Sequence, residues 1–222
     1  MKTITEKTHS IKFAAKLFVL FASVFLSAGC SNLSDILNPP PPPPPPPAVW
    51  NSAPGFSADA IDKIAIITED GTQNIWGSSD PLMTSIEDVF ISAAFRKGYR
   101  VSDRSDVDRV LQEIRFQQSG LTETDVAKLG KILNVPAVLI VKITGAGVTS
   151  QPTGLVMNGS YQYDYKAWCE MSVRLISVEK AEVLGVASYS ATRTAENQNN
   201  TAPAIYFAAT RLAAALPAKG LP

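Results

Sequence analysis

Tyr161-Gln162-Tyr163-Asp164-Tyr165-Lys166-Ala167-Trp168-Cys169-Glu170-Met171-Ser172-Val173-Arg174-Leu175 alternates without a break. Tyr161, Tyr163, Tyr165, Ala167, Cys169, Met171, Val173 and Leu175 fall on one side. Gln162, Asp164, Lys166, Trp168, Glu170, Ser172 and Arg174 fall on the other. Successive side chains of a strand point to opposite faces, so this is a half-buried antiparallel strand, one side in a core and the other wet. On that reading Cys169 is a small core residue. Glu179-Lys180 turns the chain back into Glu182 to Thr194, which completes a hairpin.

Upstream, the period changes. Ile61 to Thr68 holds a β-branched run that ends at Glu69-Asp70-Gly71, a strand entering a loop. Asp80-Pro81 opens a helix, with Asp80 as N-cap and Leu82, Ile86, Val89, Phe90 and Ala93 at helical spacing. Gly98 stops it before the short strand Tyr99-Arg100-Val101. Ser105 caps a second helix with Val107, Val110, Leu111 and Ile114 inward, ended by Gly120. Thr122-Glu123-Thr124-Asp125 starts a third, carrying Val126, Leu129, Ile132 and Leu133. Asn134-Val135-Pro136 breaks that helix and launches the strand Ala137 to Thr144. After the hairpin, Glu196 to Thr201 is a polar loop, and Pro203 begins a last helix with Ile205, Ala208, Leu212 and Leu216 inward. The order β-α-β-α-α-β-β-β-α makes residues 59–222 a single α/β domain with a mixed sheet packed by helices.

What precedes this domain is of another kind. Residues 2–16 are polar and carry lysines, and residues 17–29 are uncharged and apolar. A basic segment, a short apolar run and small residues before a cut form the signal-peptide pattern. A membrane-anchoring helix is the competing reading, but the run falls short of the roughly 20 residues a span needs. Leu26-Ser27-Ala28-Gly29-Cys30 resembles the bacterial lipobox, which implies a signal peptide over 1–29 and a lipidated terminus at Cys30. Each buried methylene of such an anchor is worth roughly 0.8 kcal/mol. Ser31, standing where an aspartate would retain the protein at the inner membrane, implies an outer-membrane location facing the periplasm, with surface exposure left open. With Cys30 lipidated, Cys169 has no partner for an intrachain disulfide. Pro39 to Pro47 is an unbroken run that excludes helix interior and central strand. It reads as a polyproline II rod on the order of 30 Å long. Residues 30–58, with Ala48 to Ala58 as loose chain, thus form a lipidated and disordered linker. The rod is a spacer on this reading; a ligand for an aromatic groove is the alternative.

The whole chain carries no formal net charge. Removing residues 1–29 takes four lysines and one glutamate, so 20 basic residues become 16 and 20 acidic become 19, close to −3. No basic face for nucleic acid results. The only histidine, His9, lies in the signal segment, which takes the commonest general base and metal ligand from the mature chain. No nucleophile elbow or phosphate loop is present. Gly145-Ala146-Gly147 follows a strand, but another strand comes next, which argues against a dinucleotide site. Asp103, Asp106 and Asp108 read as helix cap and solvated face rather than a cation site. No catalytic residue, cofactor or metal is assigned, and the chain reads as a binding protein.

Asp103-Arg104-Ser105-Asp106-Val107-Asp108-Arg109-Val110-Leu111-Gln112-Glu113, then Phe116-Gln117-Gln118-Ser119-Gly120-Leu121, then Ala127-Lys128-Leu129-Gly130-Lys131-Ile132-Leu133 and the strand from Val138 resemble the CsgG family of curli assembly lipoproteins. The resemblance covers roughly residues 60–216. It implies a fold similar to the amino-terminal domain of TolB and to the penicillin-binding-protein activator LpoB. It also implies an envelope protein as partner, in assembly or export, and leaves a homo-oligomer open. The alternatives are an LpoB-like activator of a peptidoglycan synthase and a subunit of an oligomeric secretion channel. Such a channel needs two membrane hairpins per subunit, and between Val183 and Pro203 there is too little chain for one of them. Gly145 to Gly159, with Thr149, Ser150, Gln151, Pro152 and Asn158, predicts a periplasmic loop or short hairpin and no pore. Gly120 and Gly130 allow tight turns or close approach.

Overall fold

The computed structural model describes residues 43–72, 75–76, 81–114, 122–155 and 161–220. Cys30 and its lipobox, the Asp80 cap and Gly120 lie outside the described residues. Residues 1–46 and 47–222 are separate units, and the second holds the domain.

Its strands are β1 (Asn51–Ser52), β2 (Lys63–Asp70), β3 (Ile75–Trp76), β4 (Arg100–Val101), β5 (Ala137–Leu155), β6 (Tyr161–Ser177) and β7 (Val183–Ala195). The helices are α1 (Pro81–Arg96), α2 (Arg104–Ile114), α3 (Glu123–Ile132) and α4 (Ala202–Ala215). One seven-stranded sheet runs β1-β7-β6-β5-β2-β3, with β4 also on β2. β2 is parallel to β4 and β5, and every other pair is antiparallel. The order of major elements is the one the periodicities predict; β1 and β3, two residues each, are additions.

Helices cover both faces of the sheet. Ile64 and Ile66 of β2, the odd residues Ala137 to Ile143 of β5 and Ala167 to Leu175 of β6 pack under α1 and α4, whose Ile86, Phe90, Ala208 and Leu212 are buried. Ala65, Ile67, Val138, Ile140 and Ile176 pack on the other face against Val107 and Val110 of α2 and Val126 and Leu129 of α3. Coverage on both sides is why Ile-Ala-Ile-Ile and Ala-Val-Leu-Ile-Val are unbroken apolar runs. Gly130 is a close-approach residue: an added Cβ would come within 2.1 Å of the Val178 side chain.

Three expectations change. Residues 48–58 are not loose: Asn51 and Ser52 pair with Val186 and Gly185, and Ala53 donates its N–H to the Leu184 carbonyl at 2.8 Å. Trp50 lies on Gly185, where a Cβ would meet its indole Nε1 at 2.6 Å. Two polar residues held by backbone bonds leave no periodicity to read. Ile132, placed inward by helical spacing, is exposed on the last turn of α3. Of Asp103 and Ser105, both read as caps of α2, only Asp103 caps it: its carboxylate accepts from the Ser105 N–H at 2.8 Å and from the Ser105 hydroxyl. The Ser105 hydrogen bonds, the side chain's first, hold the Asp103 carboxyl below its usual range. Asp106 pairs with Arg109 at 2.7 Å. At α3 the reading holds, since Thr122 Oγ1 accepts from the Asp125 N–H at 3.2 Å.

Candidate functional site

The predicted strand Ala137 to Thr144 runs on to Leu155, so the expected loop or short hairpin is a long two-stranded arm. β2 accompanies β5 only as far as Ile143, and β7 accompanies β6 only to Tyr165. Beyond those points β5 and β6 have only each other among the described residues, down to the pairs Gln151↔Asp164, Pro152↔Tyr163 and Leu155↔Tyr161. A register shift between Ile143 and Gly145 inserts Thr144. An inserted residue of this kind is a β-bulge, and it swaps which side chains face which side. Before it the odd residues of β5 face α1 and α4; after it Ala146 and Val148 do. Thr144, Thr149 and Thr153 donate their hydroxyls to the carbonyls of Glu170, Lys166 and Gln162, at 3.1, 3.3 and 3.2 Å. These bonds tie the arm together where burial does not. Pro152 is accommodated because the outer edge of β5 has no neighbouring strand at that point among the described residues.

The two faces of the arm differ. On the side of α4, buried Met171, Cys169 and Ala167 lead to half-buried Tyr165, then to Tyr163 and Tyr161, which are 45% and 56% exposed. The rings of Tyr163 and Tyr165 are 6.4 Å apart. The apolar stripe therefore outruns its cover by two tyrosines. Burial, aided by the charges of Glu170 and Asp70, pushes the Cys169 thiol up to about 12. On the other side the register aligns Gly145, Glu170 and Ser190, then Gly147, Trp168 and Thr192, then Thr149, Lys166 and Thr194. The Trp168 indole lies flat on the glycine pair: Cβ atoms there would come within 3.1 Å of it at Gly145 and 2.8 Å at Gly147. Gly145-Ala146-Gly147 is thus strand interior and the floor of an indole.

Elsewhere the charged groups are structural. Glu69, buried at the end of β2, pairs with Lys142 Nζ at 2.7 Å. Arg104 binds Glu87 at 3.1 Å and also Asp88, joining α2 to α1. Burial raises the Glu87 carboxyl despite that partner. An open groove of about 670 Å³ at the far end of the sheet is lined by Asp62, Lys63, Arg100, Lys131, Asn134 and Glu179 among others, and Arg100 in it is taken by Asp62. No group of three or more His, Cys, Asp or Glu among the described residues could hold a metal ion. No helix among them is long and apolar enough to cross a membrane.

The family model of the curli production assembly/transport component CsgG matches residues 68–213, from the end of β2 through α4. The chain belongs to the CsgG family. Within it, the stretch from α2 to the start of β5 supplies a capped helix, a close-packed helix and a central strand, all framework, while the arm follows directly. A comparison with the curated proteins finds no match. Among solved structures, the chain is similar to lipoprotein GNA1162 from Neisseria meningitidis, at 15% identity and a TM-score of 0.45, over 63% of this chain and 88% of that one. It is similar to the PelC dodecamer from Paraburkholderia phytofirmans at 13% identity and a TM-score of 0.41, over 78% and 98%. It is also similar to the LpoB C-terminal domain from Escherichia coli at 12% identity and a TM-score of 0.34, over 65% and 88%.

Proposed function

We propose that this CsgG-family chain is an outer-membrane lipoprotein, anchored through Cys30 and facing the periplasm, that works by protein–protein contact in envelope assembly or export. The observation that carries the contact is the tyrosine row on the arm. Tyrosine supplies large contact area at low entropy cost and a hydroxyl for orientation, and it is enriched among residues that dominate interfaces. Tyr161 and Tyr163 continue a core stripe into solvent, so a partner strand or helix laid on them would complete a core already begun. The lipobox supports the anchoring, and the proline run is a spacer on this reading. Activation of a peptidoglycan synthase is the second reading, favoured by the reach of that proline run.

A photo-crosslinking residue at position 163, in cells, tests the contact. An envelope protein should be captured there and not from the same probe at the exposed helix position Thr210. Capture of a secretion component or of a cell-wall synthase separates the two readings. Equal capture from both positions, or none, ends the contact proposal. In the same cells Cys30→Ala should lose fatty-acid label and outer-membrane fractionation; equal label on the variant ends the anchor. A channel would instead give reproducible conductance steps in planar bilayers.

A further inference from the structure

The face of the sheet opposite the tyrosines carries a feature that the proposed protein contact leaves unused. Under α2 and α3 that face is apolar and buried, but cover stops at Ile67, Ile140 and Ile176. Past this line Glu170, Lys166 and Asp164 of β6 and Ser190, Thr192 and Thr194 of β7 are exposed, on two adjacent strands in register. One indole lies in the middle of this polar field, 37% exposed, with one ring face on the Gly145–Gly147 backbone.

We propose that Trp168 is the stacking platform of a carbohydrate site on the open face of β5, β6 and β7, and that its ligand is an uncharged oligosaccharide of β-linked pyranoses. The π face of an indole carries negative charge density. A β-linked pyranose with equatorial substituents presents a flat array of axial C–H bonds, slightly positive, that matches this face. Its hydroxyls point sideways, in the plane, where Glu170, Thr192 and Lys166 offer acceptors and donors around the ring. The glycine floor fixes the indole in the sheet plane before the sugar arrives, so no side-chain freedom is lost on binding. The charges favour a neutral polymer: Asp164 and Glu170 outnumber Lys166, which disfavours an anionic one. A protein interface would bring an apolar core, and around Trp168 the face is hydroxyl, amide and carboxylate.

Titration of the full mature protein in detergent with chitotetraose and, separately, cellotetraose, read by tryptophan fluorescence, tests this. At least one sugar should give a saturable change at millimolar concentration, and the better of the two says whether acetamido groups are required. By isothermal titration calorimetry, which needs no indole reporter, Trp168→Ala should abolish binding, Trp168→Phe should keep part of it, and Thr192→Ala should weaken it severalfold with the circular dichroism spectrum unchanged. A response to neither sugar, or one that survives in Trp168→Ala, overturns the proposal. So does self-association that buries Trp168 and that neither sugar disturbs, because the face would then join two copies of the chain.

Discussion

β5 and β6 are one pair of strands with two lives. From Ala137 to Ile143, and from Met171 to Ile176, they lie between helices on both faces and their apolar side chains are buried. From Gly145 to Gly154, and from Tyr161 to Glu170, the same ladder continues in solvent on one face and, toward the tip, on both. The inner half is held by hydrophobic burial. The outer half is held by the ladder and by three threonine hydroxyls on carbonyls. A backbone can therefore be regular where its side chains are not selected for a core, and such surplus regular structure is available for binding.

The sharpest way to break this contrast uses two residues on the same face of β6. Met171→Ala should cost about 2–5 kcal/mol in urea denaturation, the range for emptying a buried methionine site. Tyr163→Ala, eight residues away, should stay within roughly 0.5 kcal/mol of the parent. If Tyr163→Ala cost as much as Met171→Ala, the arm would be part of the core and its tyrosines would need no partner. An intermediate effect is expected from shortening the chain to begin at Ser57. That removes β1 and lifts Trp50 from Gly185, and the loss of a half-buried indole should lower stability by on the order of 2 kcal/mol. An unchanged melting midpoint would show that β1 merely lies along the sheet edge.

A further effect, read over a single pH unit, is a pH dependence. Burial raises the Cys169 thiol from 9.0 to about 12, so the folded chain keeps a proton that the unfolded chain gives up. The resulting stability is complete below pH 9 and is lost as pH rises toward 12, at most about 1.4 kcal/mol per unit. Tyr99, raised from 10.0 to about 12 by burial, adds a loss in the same direction only above pH 10. Cys169→Ala should therefore flatten the dependence of the urea midpoint between pH 9 and 10 specifically. A slope there equal to the parent's would mean that water reaches the thiol.

Much of the inner half was legible in the sequence. Continuous apolar runs in Ile64–Ile67 and Ala137–Val141 and a 3.6-residue period in Leu82–Ala93 point to strands and helices of a layered α/β domain. The fifteen-residue alternation of β6 was equally plain. Its partner was not, for two physical reasons. Thr144 shifts the phase of β5 by one residue, so no single alternation spans Ala137 to Leu155. Thr149, Ser150, Gln151 and Pro152 also pack nothing, and periodicity exists only where one side is buried. The same gap hid the candidate surface: Gly145 and Gly147 signal close approach, but only the register shows that the indole of Trp168 is what approaches. Ile132 erred the other way, since at a helix end the spacing continues after the neighbour it should touch has stopped.

The parallel pairing of β2 with β5 carries a consequence for how the chain is made. Ile64↔Ala137 and its successors join residues seventy-three positions apart, whereas β5, β6 and β7 follow closely on one another along the chain. Closing a long loop costs entropy before any contact repays it, so the local meander should assemble first and β2 should enter late. Yet β2 is synthesised, and threaded across any membrane, ahead of everything it pairs with. Until β5 arrives, Ile64-Ala65-Ile66-Ile67 is an apolar strand with both edges bare, the form of segment that aggregates or calls for a chaperone. The stage of its life at which this molecule is most vulnerable is thus the interval between the emergence of its first core strand and that of β5.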